Sequence, residues 1–259
     1  MGHIRIGRMP MTQRWKDVLR LLAERASESD IADACLKAAE ASIKRIPNDG
    51  GFLDALTTIF EFADAIRSPN MLAELRLKGF RLTNNPSLFD LSSALKDRID
   101  EVTHLSSSKS YVGEITQNSF SESLYSFVSR ELPTLFGNTP ENEREVVRRQ
   151  FTGNRFRNMM HEFYSNLTRR YLMYHLGREL PKHIGADRRF ANLDGHSEFG
   201  KAFNVYVRQS VRITEEFTPG WFSKARWEDS ISQDSVSRYA HFAFKKILME
   251  FGKRSRPDA

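Results

Sequence analysis

The chain has 259 residues, of which 40% are hydrophobic and 28% charged, and its formal net charge is +6 at pH 7. This length and composition predict a folded protein with a sizeable core and exclude an intrinsically disordered chain. The single cysteine, Cys35, excludes an intrachain disulfide framework, and no apolar run reaches the roughly 20 residues of a membrane span. We therefore expect a cytoplasmic protein that does not bind a membrane.

The first hundred residues have the periodicity of amphipathic helices. Thr12 can cap a first helix that continues to about Ala26, and Pro47-Asn-Asp-Gly-Gly ends a second. A third helix is predicted from about Phe52 to Ile66, Pro69 is predicted to open a short fourth helix, and Pro86 a fifth. The N-terminal region, residues 12–104, is therefore predicted to be helical.

Two segments of this region resemble each other at an offset of 36 residues. FLDALTTIFEFADAI and LFDLSSALKDRIDEV carry acidic residues at matched positions, including Asp54 and Asp90. Such an offset is compatible with solenoid-like stacked helical hairpins, although two ordinary amphipathic helices are the simpler interpretation because the known repeat signatures are absent.

Residues 105–119, LSSSKSYVGEITQNS, are polar and weakly patterned. We interpret them as a linker in which a short strand at Tyr111–Ile115 is compatible with the sequence. After it, Ser121 is predicted to open a helix, and Thr139 with Pro140 forms a strong helix start signal. Residues 120–252 then form a basic, aromatic-rich helical domain.

The rest of this domain is also predicted to be helical. A loop of about twenty residues precedes a helix from about Ser197 to Phe217, Pro219-Gly220 is predicted to turn the chain, and a last helix spans about Asp234–Phe251. The fold class is therefore all-α, with two helical regions and a helical bundle in the C-terminal one.

The stretch GNRFRNMMHEFYSNLTRRYLMYHLGRELPKHIG, residues 153–185, combines an apolar stripe with arginines and histidines. The stripe has helical spacing and consists of Phe156, Met160, Phe163, Leu167, Tyr171 and Tyr174. The simplest interpretation is a core helix with a solvated charged face.

Around His161, however, the same stretch resembles the signature of HEPN domains, helical proteins that include many prokaryotic RNases. Their pattern places an arginine, often followed by a polar residue, a few residues before a histidine. Arg155 precedes His161 with five residues between them, and Arg157, followed by Asn158, with three. The resemblance implies a metal-independent RNase in which His161 is the acid/base and Arg155 or Arg157 stabilises charge on the phosphate.

A basic surface is indicated in the same part of the chain. Residues 144–189 contain 11 basic and 4 acidic residues. Arg148, Arg149, Arg169 and Arg170 lie off or at the edge of the apolar stripe, so we expect them to contact the phosphate backbone of RNA or DNA.

The segment TPGWFSKARWE places Trp221, Lys224 and Trp227 three residues apart, on one face of a short helix. Exposed, this face would anchor a protein partner or stack on bases; buried, it would be a corner packed on the core.

Metal and cofactor chemistry has little support. Asp194, His196 and Glu198 are close in sequence, but no second ligand cluster accompanies them, and helix capping by Asp194 or Ser197 explains the segment. No P-loop, dinucleotide fingerprint or nucleophile elbow occurs, so we expect no metal and no cofactor.

These patterns favour a helical binding or adaptor subunit of a larger intracellular assembly. It would bind a protein partner and contact RNA or DNA through its basic C-terminal half. The alternative is the HEPN-like RNase, and a purely structural scaffold stays open.

Overall fold

The computed structural model of the chain describes residues 9–132 and 138–254. Over these residues it is all-α, which confirms the predicted fold class; it contains no strand there. The helices are α1 (Gln13–Ala23), α2 (Glu28–Ile43), α3 (Gly50–Arg67), α4 (Met71–Leu77), α5 (Leu88–Leu105), α6 (Tyr111–Glu131), α7 (Pro140–Gln150), α8 (Gly153–Leu176), α9 (Leu193–Ser210), α10 (Thr214–Trp227) and α11 (Gln233–Arg254). Short 3-10 turns lie at Ile46–Asn48 and Leu180–His183.

The central helix is α3, which packs against α4, α5, α6 and α11. Asp49 caps it by accepting a hydrogen bond of 2.8 Å from the Phe52 amide. Its apolar residues surround most of the helix, so it is buried on several sides, as expected of a helix without a continuous polar face. The largest buried residues are Phe52, Leu56, Ile59, Phe60, Phe62 and Ile66.

The contact between α3 and α6 is a backbone contact. A Cβ atom added at Gly113 would lie 2.7 Å from the carbonyl carbon of Gly51. Because real Cβ atoms do not approach other atoms this closely, only glycine fits at this position without movement of one helix.

The two similar segments, offset by 36 residues, occupy different environments. Asp54 lies buried in the second turn of α3, which Asp49 caps, whereas Asp90 accepts a hydrogen bond of 2.9 Å from the Ser87 amide in a capping box. The matched acidic residues therefore have different structural roles: Asp54 is a buried carboxylate, and Asp90 caps a helix.

The predicted linker contains a helix. Because α6 begins at Tyr111, the strand at Tyr111–Ile115 and the helix start at Ser121 are both wrong. Ser110 caps α6 by accepting from the Gly113 amide at 3.0 Å. The buried Gln117 donates to the Lys96 carbonyl on α5 at 3.0 Å. Because polar residues in this part of α6 face a neighbouring helix, the sequence lacks the apolar periodicity that usually predicts a helix.

A buried carboxylate joins the two predicted regions. Ser106 and Ser108 donate to Oδ2 of Asp54, Ser106 at 2.6 Å, and Gln233 at the start of α11 donates to Oδ1 at 2.8 Å. Apolar residues of both regions belong to one hydrophobic core. The division into 12–104 and 120–252 stays a prediction, which limited proteolysis at 105–119 tests.

The boundaries around α9 and α10 differ from the prediction. Asn192 caps α9 by accepting from the Gly195 amide at 3.0 Å, so neither Asp194 nor Ser197 is the cap. The predicted helix from Ser197 to Phe217 is interrupted after Ser210, and Pro219 lies inside α10 rather than in a turn. Pro219 lies in the second turn of α10. Because proline has no N–H, the helix loses one backbone hydrogen bond there, and the packing of that face retains the helix.

Other start signals are confirmed. Thr12 caps α1, and Thr139 caps α7 with Pro140 at its first position. Within the described residues, no helix is both long and apolar enough to cross a membrane.

Candidate functional sites

Helix α8 positions most of the predicted site residues. Its stripe is buried as expected at Phe156, Met160, Phe163 and Leu167, and the helix packs against α6 on one side and α10 on another. Met159, Tyr164 and Leu172, which lie off this stripe, are also buried, so α8 is embedded on more than one face.

His161 points toward the ends of α9 and α10 and is only 7% exposed. Its Nε2 lies 2.8 Å from the carbonyl oxygen of Arg208, and its Nδ1 lies 3.0 Å from Oε1 of Glu215. Both neighbours are hydrogen-bond acceptors, so each ring nitrogen of His161 faces an oxygen of a different helix. His161 joins three helices in this way.

The two candidate arginines are in different surroundings. Arg155 forms an ion pair with Glu131 of α6, with Nε 3.1 Å from Oε1. Arg157 is exposed one helical turn before His161 and has no hydrogen bond or ion pair within the described residues. The structure therefore brings Arg155 toward α6 and His161 toward α9 and α10. An acid/base role for His161 would require release of one of its two hydrogen bonds.

The four candidate phosphate-binding arginines form two separate pairs. On α8, Glu122 binds both Arg170, at 2.7 Å, and Arg169, at 3.6 Å. Burial lowers the pKa of Arg169. Because one carboxylate already partly neutralises both cations, this pair has less charge to offer a phosphate than the sequence indicates.

The second pair lies in the last turn of α7. Nε of Arg149 is 3.9 Å from Oε1 of Glu145, a loose ion pair. Arg148 is exposed and has no partner in the part of the chain that the structure describes. Of the four arginines, Arg148 is therefore the most available to an external anion.

The two tryptophans of α10 are in opposite environments. The ring of Trp221 stacks on Tyr239 at 4.3 Å and meets the edge of Phe60 at 4.8 Å. Trp227, by contrast, is 91% exposed, and the exposed Lys224 is 3.8 Å from Oε1 of Glu228. Trp221 is thus partly buried and packs against the core, whereas Lys224 and Trp227 lie at the surface.

An exposed leucine lies at the same end of the molecule as Trp227. Asp64, near the end of α3, binds Nε of Arg226 at 2.8 Å and Nζ of Lys78 at 3.5 Å. Trp227 follows Arg226, and Leu77, which is 82% exposed, precedes Lys78. We use the name α3-end surface for the exposed residues Leu77, Lys224 and Trp227, each of which lies within two positions of a cation that binds Asp64.

Leu77 was not among the predicted site residues. The only sequence signal is that Leu75 and Leu77 cannot both lie on the inner face of so short a helix, and Leu75 is the buried one.

No protein-family model, no curated protein and no solved structure matches this chain.

Proposed function

We propose that the protein is a binding or adaptor subunit of a larger intracellular assembly, in the cytoplasm, and that it binds a protein partner through the α3-end surface. The observation that carries this proposal is the exposure of Trp227. Tryptophan is highly buried on average in folded proteins, and it is enriched among the residues that dominate binding energy at protein interfaces.

The charges around the α3-end surface indicate the chemistry of the partner. Asp64 faces two cations, Arg226 and Lys78, and a third, Arg67, lies close enough to Arg226 that burial and this neighbour lower the pKa of Arg67. The exposed Lys224 is paired with Glu228, so the excess of positive charge here comes from Arg226, Lys78 and Arg67. The partner surface that fits is an apolar pocket for the indole with acidic residues at its rim.

The decisive variant is Trp227→Ala. Because Trp227 packs on little of its own chain, we expect an unchanged far-UV helix signal and an unchanged thermal midpoint, together with loss of association. Phe89→Ala is a matched control, since Phe89 is also a largely exposed aromatic residue, on α5.

The wild type, Trp227→Ala and Phe89→Ala each serve as bait in a quantitative affinity purification. Sedimentation of each protein alone then measures its self-association. A specific protein that the wild type and Phe89→Ala retain and Trp227→Ala loses supports the proposal. Equal retention of that protein by all three baits contradicts the proposal. If Trp227→Ala changes only the self-association seen in sedimentation, the partner is a second copy of the chain.

A nucleic-acid contact is the second candidate function, and the exposed guanidinium groups of Arg148 and Arg157 favour it. They lie on either side of the corner between α7 and α8, without ion pairs within the described residues. This footprint is narrower than the one predicted from sequence, because Arg169 and Arg170 are bound to Glu122.

Binding of single-stranded RNA measured over a range of salt concentrations tests this contact. The slope of log affinity against log salt is about −0.7 for each phosphate neutralised on a single strand. We expect Arg148→Gln to flatten the slope by about one such unit and Arg170→Gln to change it less. Absence of binding at low salt, or equal effects of the two variants, would argue against this footprint.

A further inference from the structure

A concave region that shares no residue with the α3-end surface lies between the α1–α2 turn, the loop after α8 and the start of α9. It is a pocket of about 440 Å³ whose lining includes Arg25, Glu28, Arg189, Phe190, Asn192 and Glu198. The loop is fixed by its own backbone, since the Gly185 amide donates to the Phe190 carbonyl at 2.8 Å and the Phe190 amide to the His183 carbonyl at 2.9 Å.

Arg189 is the unusual residue of this pocket. Its side chain is only 6% exposed; Nη2 lies 3.1 Å from Oε1 of Glu28, and its guanidinium carbon lies 5.5 Å from the ring centre of Phe190 and 5.2 Å from that of Phe199. Its Nε and Nη1 atoms are buried and have no hydrogen-bond acceptor within the described residues. A buried donor without an acceptor is unfavourable. Because both atoms have almost no accessible surface, an external acceptor reaches them only after the Arg189 side chain turns toward the pocket.

Arg25 contributes a second guanidinium from the α1–α2 turn. Its φ is +57°, in the left-handed region, just after α1 ends. Glycine is the usual residue at such a position, because a Cβ atom is unfavourable there. The side chain of Arg25 reaches the loop, where Nη2 donates to the Asp187 carbonyl at 2.9 Å.

The start of α9 adds a positive electrostatic end to the pocket. This helix has 18 residues, and Asn192 and Gly195 of its N-terminal turn line the pocket. The positive end of a helix dipole and its first amides favour anions. Of the acidic residues nearby, Glu28 is paired with Arg189, and Glu198 and Asp194 are exposed and screened by solvent.

We propose that this pocket binds the phosphate group of a small ligand. Arg25 would donate to the phosphate oxygens at the N-terminal end of α9, Arg189 would join it once its side chain has turned toward the pocket, and Phe190 with Ala191 and Ala202 would contact the remainder of the ligand. The pocket is separate from the α3-end surface, so this proposal does not depend on the protein-binding one.

Calorimetric titration tests the proposal, first with inorganic phosphate and then with a sugar phosphate and a nucleoside monophosphate. Arg25→Gly is the sharpest variant, because glycine is favoured at this backbone conformation and the fold should be retained. We expect Arg25→Gly and Arg189→Gln each to weaken binding about tenfold or more, since a hydrogen bond from a charged group is lost. Arg238→Gln is the control for net charge, because Arg238 is exposed on α11 and lies outside the pocket lining.

Glu198→Gln tests whether the pocket prefers an anion or a cation. Removal of this negative charge should tighten phosphate binding, whereas a cation-binding pocket would respond in the opposite direction. A bound phosphate should also raise the pKa of His183, which burial and the nearby Arg188, Arg189 and Lys182 hold below its usual value. NMR titration of His183 with and without phosphate measures this change.

The outcomes separate clearly. Loss of phosphate affinity in both arginine variants, with the affinity of Arg238→Gln unchanged, supports the site. If a phosphate ester binds more tightly than inorganic phosphate, the ester is the ligand class. If the ester binds equally or more weakly, the ligand is phosphate itself. No phosphate binding, insensitivity to Arg25→Gly, or weaker binding in Glu198→Gln would overturn the proposal.

Discussion

Trp221 and Trp227 are six residues apart on one helix, yet the inner part of α10 and its last turn are different regions of the molecule. Trp221 lies against Phe60 of α3 and Tyr239 of α11, whereas Trp227 is almost fully exposed. The same residue type is therefore structural in one region and available for binding in the other. The same contrast occurs for glycine and histidine, and each pair offers a test.

The largest effect is expected from the tryptophan pair. Truncation of a buried large aromatic residue costs about 3–5 kcal/mol, and since Trp221 is partly buried we expect Trp221→Ala to lose about 3 kcal/mol of unfolding free energy. Trp227→Ala should change it by less than about 0.5 kcal/mol. Urea unfolding with a common m value measures both, and a comparable loss in the two variants would remove the distinction between the regions.

The glycine pair contrasts contact with open space. A Cβ atom at Gly113 would collide with the backbone of Gly51, whereas one at Gly200 on α9 meets nothing within 4 Å. We expect Gly113→Ala to destabilise by about 2 kcal/mol through overpacking. Gly200→Ala should stabilise by about 0.5–1 kcal/mol because alanine favours the helix. Thermal unfolding monitored by circular dichroism distinguishes the signs; a Gly113→Ala protein as stable as the wild type would show that α3 and α6 do not meet this closely.

The histidine pair contrasts a buried group that has two partners with an exposed one. His161→Ala leaves the Arg208 carbonyl and Glu215 without their donor, and we expect a loss of about 1–2 kcal/mol. His241→Ala, at an exposed position of α11, should lose less than about 0.5 kcal/mol.

The same His161→Ala variant tests the HEPN-like alternative. If His161 is an acid/base, its removal should abolish RNA cleavage while RNA binding stays intact. Cleavage that survives the substitution excludes His161 from the mechanism. A wild-type protein that cleaves no RNA, alone or with a partner, leaves the adaptor proposal as the simpler account.

The smallest effect concerns pH. Burial, together with Arg188, Arg189 and Lys182, lowers the pKa of His183 in the folded protein, and Glu179 only partly opposes them. As the pH falls below about 6.5, the unfolded chain binds the proton first, so the folded state loses stability. We expect His183→Gln to lose less stability than the wild type between pH 7.5 and 5.5, as measured by urea unfolding. An identical pH dependence of the unfolding free energy in the two proteins would contradict a lowered pKa of His183.

Local interactions account for what the sequence predicted correctly. Thr12 and Thr139 cap the helices assigned to them because a capping hydrogen bond spans only three residues. The start of α6 was missed because Gln117 and its polar neighbours are satisfied by another helix. Neither the burial of Trp221 nor that of Arg189 has a local signal, since both depend on side chains from distant helices.

The hydrogen bond between Gln233 and Asp54 has a consequence for the order of events during synthesis. These residues are 179 positions apart. A ribosome adding roughly 5–20 residues per second needs on the order of 10–40 s for that stretch, during which α3 has emerged but α11 does not yet exist. Helical domains fold within micro- to milliseconds when complete. Maturation in the cell is therefore expected to be paced by translation, and during that interval the nascent chain displays the apolar residues of α3 to chaperones.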